Sequence, residues 1–425
     1  MQDTQINDKL FHWLGAQHPG VARDRERLVA SYAQAQAPSR EHEDWKYTDI
    51  LRVFEQDYVP APALALTGQD LATLLPLAGY AARLVFLNGV YSRQLSAVEQ
   101  AGIRVDSLED YSRTGACGYN ALFDGTGVSQ SGKLQLLNTI FASQGVVVSV
   151  ARNVVVDKPV CLVYVNSGEG TSALNTRNLI VCEAFSRCTV ESFHVSRGQN
   201  TFFTNTVSEI FAREGASVTY NQLVSESTGS TMVHSTCVLQ DAASTFEANS
   251  FLLDGGIIRN NTRVAHRGED CTTRLNGLYL TTGTQHFDTF THVDHEQPNC
   301  TTSELYKGVA ADKSTGVFAG KIFVAPGAQK TRANQANRNI LLSPGATIHS
   351  KPQLEIWADD VSCTHGSTVG QLNADHLFYC QARGISRDQA VRLLLQAFVA
   401  EVVDKVESGN MKDYLEAALP GKMSS

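Results

Sequence analysis

No Cys-x-x-Cys pair occurs in this 425-residue chain. Its cysteines are odd in number: Cys117, Cys161, Cys182, Cys188, Cys237, Cys271, Cys300, Cys363 and Cys380. Both observations argue against a disulfide framework and against a self-sufficient zinc site, and a reducing cytoplasm is the expected location. Basic excess is also missing, with 35 Lys and Arg against 43 Asp and Glu and a formal charge of −8. Binding to nucleic acid is therefore not expected. No run approaches the roughly 18 apolar residues of a membrane-crossing helix. The start, MQDTQINDKLFHWLG, lacks a basic segment followed by an apolar one, so no secretory signal is expected there.

Motifs of autonomous enzymes are scarce as well. Gly327-Ala328-Gln329-Lys330-Thr331 lacks the first glycine of a phosphate loop. Neither a Gly-x-Ser-x-Gly elbow nor a strand-linked Gly-x-Gly-x-x-Gly occurs. Asp359 and Asp360 are adjacent, so on a strand they point to opposite faces and make a poor acid/base pair. Disorder is excluded as the main state by 43% hydrophobic and only 18% charged residues. The length supports a large core and two or three domains.

What the chain does have is a period. Small residues after turn-prone positions open β-rich runs at Cys188, Ala216, Ala243, Cys271, Cys300 and Ala328, at intervals of 27 to 29 residues. Each period carries a second β-prone run, such as Val207 to Phe211, Thr262 to Ala265 or Val317 to Val324. Two strands per period with no helical pattern between them predict a flattened parallel β-solenoid over residues 132–370, rather than a βαβ fold. The competing reading is an antiparallel sandwich, whose strands also recur.

The flanks differ in composition. Residues 1–80 are expected to form a helical region, with helices at Asp24 to Gln36 and Leu71 to Leu77 and a linker at Val59 to Ala63. Residues 81–131 connect to the core through a strand, Arg83 to Leu87, that enters a turn at Asn88-Gly89. In the C-terminal helical region, 371–425, Asn373 is expected to cap one helix that stops at Gly384. Ser386 to Gln389 has the form of a capping box that opens another. Val391, Leu394, Leu395, Phe398, Val402 and Val406 lie at helical spacing on it, widened by Ala390, Leu393 and Val399. This stripe either shields the open end of the solenoid or receives a partner.

Two clusters could hold metal. His292 and His295 leave opposite faces of a strand but can converge in a turn, where a polar turn with hydrogen-bonded histidines is the plainer reading. Cys363 and His365, two apart, share one face of an extended chain and suit iron or zinc, but two ligands do not complete a tetrahedral site.

The segment Lys351 to Gly370, KPQLEIWADDVSCTHGSTVG, resembles the signature of the SufB/SufD family of SUF iron–sulfur cluster assembly scaffolds, on its SufD side. Further matching segments are Glu43 to Thr48, Leu84 to Gly89, Thr291 to His295, Gly316 to Gly320, Gln329 to Thr331, Leu377 to Tyr379 and Arg383 to Ile385. The resemblance implies a right-handed parallel β-helix between helical terminal regions, and a non-catalytic role in complex with a SufB-like scaffold and a SufC-like ATPase. It places Cys363 and His365 at the interface with SufB, where a transient cluster forms, with none tightly held by the isolated chain. It assigns SufC binding to the C-terminal helices around Ala390, Leu394, Phe398 and Val402. A homodimer is a further possibility for the isolated chain. The reading from a different class is a β-helix enzyme acting on polysaccharide, which needs a groove with convergent carboxylates and aromatic platforms.

Overall fold

The computed structural model describes residues 8–18, 26–75, 77–113, 132–407 and 409–423. The rest of the expected connecting segment, 114–131 with Cys117, lies outside the described residues.

The chain is mainly β and forms a parallel solenoid of two sheets, with helices towards both termini. Strands alternate between the sheets along the sequence. The first sheet has ten strands and runs from Val90–Val98 and Ala82–Leu87, through Val160–Asn166 and five further rungs, to Arg332–Leu341 and Ser362–Gly370. The second has nine, from Ile103–Ser107 and Val146–Val150 to Thr315–Val324 and Thr347–Ile356. Pairing within the repeat is parallel throughout, which excludes the sandwich. Only the N-terminal end departs from this. There Ala82–Leu87 turns back on Val90–Val98 through Asn88 (φ 47°) and Gly89 (φ 78°), the left-handed pair of a tight hairpin, as the sequence indicates. Ile103–Ser107 pairs antiparallel with Val146–Val150 at the same end of the second sheet.

The solenoid turns one corner by the same device on successive rungs. Phe185, Gly215, Ala243, Asp270, Asn299 and Lys330 each adopt φ near +60°, and each donates its backbone N–H to a carbonyl of the next turn. The residue that follows is small and buried: Ser186, Ala216, Ser244, Cys271, Cys300 and Thr331. This stack corrects the sequence alignment at three rungs. Cys188 lies two residues inside its strand, Ala243 is the turn residue itself, and Ala328 precedes the corner by three. Turns vary in length, so the constant element is the backbone register and not the residue count.

Inside the coil, parallel stacking puts like positions on top of each other and forces complementary sizes. Tyr306 sits in register with Gly277, and Tyr279 with Gly308. A Cβ on Gly308 would lie 2.2 Å from the Tyr279 ring, so each aromatic fills space that the neighbouring rung leaves vacant.

Both outer faces are covered by helices. Lys9–Gln17, Glu26–Gln34 and Lys133–Ile140 pack Leu10, Leu14, Tyr32, Leu137 and Ile140 with Phe203 and Val233 of the second sheet. Two N-terminal helices span Glu26–Gln34, inside the expected Asp24 to Gln36, and Gly68–Leu74, three residues ahead of the expected Leu71 to Leu77. At the C-terminus, Asn373 caps Ala374–Ala382, Gly384 (φ 83°) ends that turn, and Ser386 and Gln389 complete both halves of the capping box on Arg387–Val403. A last helix, Asn410–Lys422, follows.

The helix Arg387–Val403 does not shield the terminal rung. Ala390, Leu395, Val399, Val402 and Val403 are buried in an apolar cluster with Leu278, Leu280, Val309 and Ile340 on the outer flank of the first sheet. Lys307 locks it there, donating to the Phe398 carbonyl (2.7 Å) and pairing with Glu401 (2.5 Å). The end of the coil stays open.

Candidate functional site

Among the described residues, the C-terminal end of the solenoid is open. There Thr347–Ile356 and Ser362–Gly370 each pair on one side alone, which leaves two parallel rows of backbone donors and acceptors without a strand partner among the described residues. Ile356, Trp357 and Val369 are exposed along this edge, and Trp357 retains 61% of its accessible surface. Such an edge is a template for strand addition by another chain.

Cys363 and His365 belong to this rung. Cys363 stands in register with buried Ala333, and His365 with buried Gln335, so both continue inward-facing columns at a level where no further rung lies above. The sequence-derived expectation of a shared face therefore holds in the strand. Their environments differ, however. Cys363 is half-buried against Ile322, Val324, Ala333 and Ala358, and this burial pushes its thiol pKa up, although a backbone hydrogen bond from Ala333 opposes the shift. His365 is exposed. A raised pKa keeps the Cys363 thiol protonated near neutrality, so a metal or a neighbouring cation must displace the proton before sulfur can act as a ligand.

Below His365 the column is polar. Gln335 donates its amide to Glu304 (2.9 Å), which also accepts from the Thr291 hydroxyl (2.8 Å). Burial raises the Glu304 carboxyl to about 7 despite these two donors. The side-chain carbonyl of Gln335 is buried without a hydrogen-bond partner one rung below His365. Neither Glu304 nor Gln335 carries a local motif. They emerge only when the chain is folded at the true rung spacing.

The segment Glu43 to Thr48 is brought to the outer face of the second sheet near the same end. Lys351 pairs with Glu43, Tyr47 stacks on His349 (4.1 Å between centroids, 10° between planes), and Trp45 covers the Arg259 guanidinium at 4.5 Å. Thr48 donates to Asp288, which forms a buried ion pair with Arg259 (2.5 Å). This N-terminal motif thus braces the last rungs from outside.

His292 and His295 do not converge. Both lie in the strand His286–His295, so His292 faces outward to Asp294 (2.9 Å) and Arg263 (2.8 Å), while His295 is buried inside the coil. The turn geometry that would have joined them is absent. Of the proposed partner residues, Ala390 and Val402 are buried within the chain, whereas Leu394 and Phe398 are partly exposed beside a cavity of about 330 Å³ shared with Leu372 and His376. Phe378, Tyr379 and Leu393 are the large apolar residues that these two helices expose. A cavity of about 600 Å³ lined by Trp13, Pro62, Tyr91 and Gln144 has no carboxylate in its wall, and another of about 590 Å³ is bordered by Glu41, Glu43 and Asp44 beside Trp45.

The comparisons with known proteins agree with this architecture. Residues 163–398 match the family described as "SUF system FeS cluster assembly, SufBD core domain", and residues 15–162 match "SufBD protein N-terminal region". The chain is 31% identical to the iron–sulfur cluster assembly protein SufD of Escherichia coli over 388 residues, 90% of this chain and 88% of that protein. It is 28% identical to an iron–sulfur cluster assembly SufBD family protein of Synechocystis, covering 94% and 91%. A SufD of Bacillus subtilis is 30% identical over 71% of this chain and 69% of its own length. The chain belongs to the SufBD family of SUF iron–sulfur cluster assembly proteins and is SufD-like.

Proposed function

We propose that this chain is a non-catalytic scaffold whose open end rung docks a SufB-like scaffold and offers Cys363 and His365 to a nascent iron–sulfur cluster at that interface. The observation that carries this reading is the unpaired terminal rung, with the thiol and imidazole at the ends of inward columns and no covering element among the described residues. Two ligands leave a tetrahedral iron two positions short, so a second chain has to complete the site. A cluster held across an interface loses ligands whenever the interface shifts, which suits transient assembly and release. The isolated chain then holds no cluster tightly. Before docking, the open rung also offers a homodimer contact.

The C-terminal helices are proposed to receive a SufC-like ATPase. Ala390 and Val402 contribute by anchoring the helix to the first sheet, while Leu393, Leu394, Phe398 and the neighbouring Phe378 and Tyr379 form the accessible apolar surface. An apolar helix face set against a groove is a common recognition mode. A cytoplasmic setting agrees with eight thiols that are free among the described residues.

The test is co-purification of the full chain with its SufB-like and SufC-like partners, followed by cluster reconstitution on the complex. His365→Ala should leave complex yield intact and sharply lower cluster formation, with Cys363→Ser a smaller loss. Normal cluster yield from a complex carrying both substitutions would remove the end rung from the mechanism. Leu393→Asp should release the ATPase alone.

A further inference from the structure

A second group of soft ligands lies inside the solenoid, two and three rungs below the open end. His266 and His295 are stacked in register on adjacent strands, with ring planes 89° apart and Nδ1 atoms 3.2 Å from each other. One ligand atom each from His266, His295 and Cys300 lies within 4.8 Å of the other two, and all three residues are fully buried. Cys271 occupies the corner one rung before Cys300, and the two thiols interact. The pattern is His-x4-Cys repeated after 29 residues, His266 to Cys271 and His295 to Cys300.

Hydrogen bonding fixes which nitrogen of His266 is free. Gln240 directs its amide nitrogen to the carbonyls of Ser244 (3.1 Å) and Thr272 (3.2 Å), so its Oε1 must be an acceptor. The Thr273 hydroxyl donates to that oxygen at 2.5 Å. Having spent its only proton, Thr273 accepts from His266 Nε2–H at 2.8 Å. The Nδ1 of His266 therefore carries a lone pair aimed at His295. In the metal-free chain, His295 Nδ1–H donates to it, and His295 Nε2 accepts from Thr302 (2.9 Å). The opposite tautomer of His295, with Nε2–H donating to Thr302, presents two Nδ1 lone pairs to one point.

We propose that His266, His295 and Cys300 form a buried three-residue site for one tetrahedral cation of the Zn2+ class, with a small exogenous ligand in the fourth position. A 3.2 Å separation of the nitrogens is close to the roughly 3.3 Å edge of a tetrahedron with metal–nitrogen bonds of about 2.05 Å. Two imidazoles and a thiolate suit a borderline-soft tetrahedral ion and disfavour Mg2+ or Ca2+. Thr273 and Thr302 are the outer partners that orient the rings. The next rung offers only Val324 and Thr331 in the matching columns, so the site is confined to two rungs and staples them together. Its entrance is the paired corner turns 267–270 and 296–299, bridged by the Arg267–Glu296 ion pair. Binding moves the His295 proton from Nδ1 to Nε2 and releases the Cys300 thiol proton.

Full-length protein stripped with a chelator and titrated with Co2+ tests the site directly. One equivalent should bind with a thiolate-to-cobalt charge-transfer band and intense tetrahedral d–d absorption, and Zn2+ should displace it. Cys300→Ser should erase most of the charge-transfer band. His266→Gln should weaken binding by at least roughly 100-fold, beyond the loss typical of an outer partner. Thr273→Val should weaken it less. A Cys363→Ser/His365→Ala chain should bind as the wild type does, which separates this site from the end rung. Far-UV circular dichroism checks that each variant folds, and native mass spectrometry of wild-type protein reads the zinc adduct and its displaced proton without any substitution. Cobalt bound no more tightly by wild type than by Cys300→Ser/His266→Gln, or bound with a weak octahedral spectrum, would reduce the cluster to a hydrogen-bonded histidine pair.

Discussion

Replacing Glu401 with alanine isolates the clamp that holds the C-terminal helix on the solenoid. Glu401 lies in the last turn of the helix Arg387–Val403. In the fold it pairs with Lys307, whose side chain is only 4% exposed, and with Arg338 at 3.1 Å. Lys307 also sits 4.4 Å above the Phe398 ring and donates to the Phe398 carbonyl. Removing Glu401 leaves that ammonium buried with one carbonyl and a ring face. A surface pair is worth about 0–1 kcal/mol, and stranding a buried partner costs about 3–5 kcal/mol. Glu401 is partly exposed, so about 2 kcal/mol is expected, or ~30-fold in the local opening equilibrium. A solenoid transmits stress mainly to neighbouring rungs, so the effect should be local and a single melting temperature is a poor readout. Hydrogen exchange should show ~30-fold faster opening of Arg387–Val403. Pairing with Lys307, followed by its Coulomb attraction, lowers the Glu401 pKa, so the clamp is present above the ordinary carboxylate range. It is lost as pH falls through the folded value. Lys307→Met in the Glu401→Ala background should recover most of the protection, because no stranded charge remains. Strictly additive losses in that double-mutant cycle would refute the reasoning.

Other expectations follow from the interior. Glu304 has a folded pKa of about 7, above its unfolded value, so it costs stability progressively as pH rises from about 4.5 to about 7. Glu304→Gln mimics the protonated form, and the wild-type minus variant difference in urea midpoint should vanish at pH 4 and appear by pH 8. An equal difference at both pH values would contradict this. Burial lowers His234 to about 3 and His295 to about 4, so these rings must charge on unfolding and stability should fall as pH drops below about 6.5. Replacing His234 with Gln should reduce the slope of stability against pH between 6.5 and 4. Gly308→Ala should cost about 1–3 kcal/mol by overpacking Tyr279, read as a lowered urea midpoint, and a neutral result would mean that the ring has room to move.

The sequence by itself determined the repeat, the parallel coil and the helical ends, because each rests on local chemistry. A left-handed turn followed by a small residue must recur wherever one rung stacks on another. The capping signals at Asn373 and Ser386 act within a single helical turn, and Asn88-Gly89 specifies its own hairpin. The shared face of Cys363 and His365 was legible for the same reason, since strand alternation is a property of adjacent residues. Register between rungs was not legible. Variable turns moved the true corner to Ser186, Ser244 and Thr331, and a shift of one residue exchanges the inside of a rung for its outside. Tertiary structure alone therefore decided that His295 meets His266 and not His292, and that Gln335 and Glu304 underlie His365. It also decided which side of the C-terminal helix is spent on the first sheet. An apolar stripe records that a helix buries one face, but the surface that receives it lies about 100 residues away and becomes its neighbour only when the coil closes.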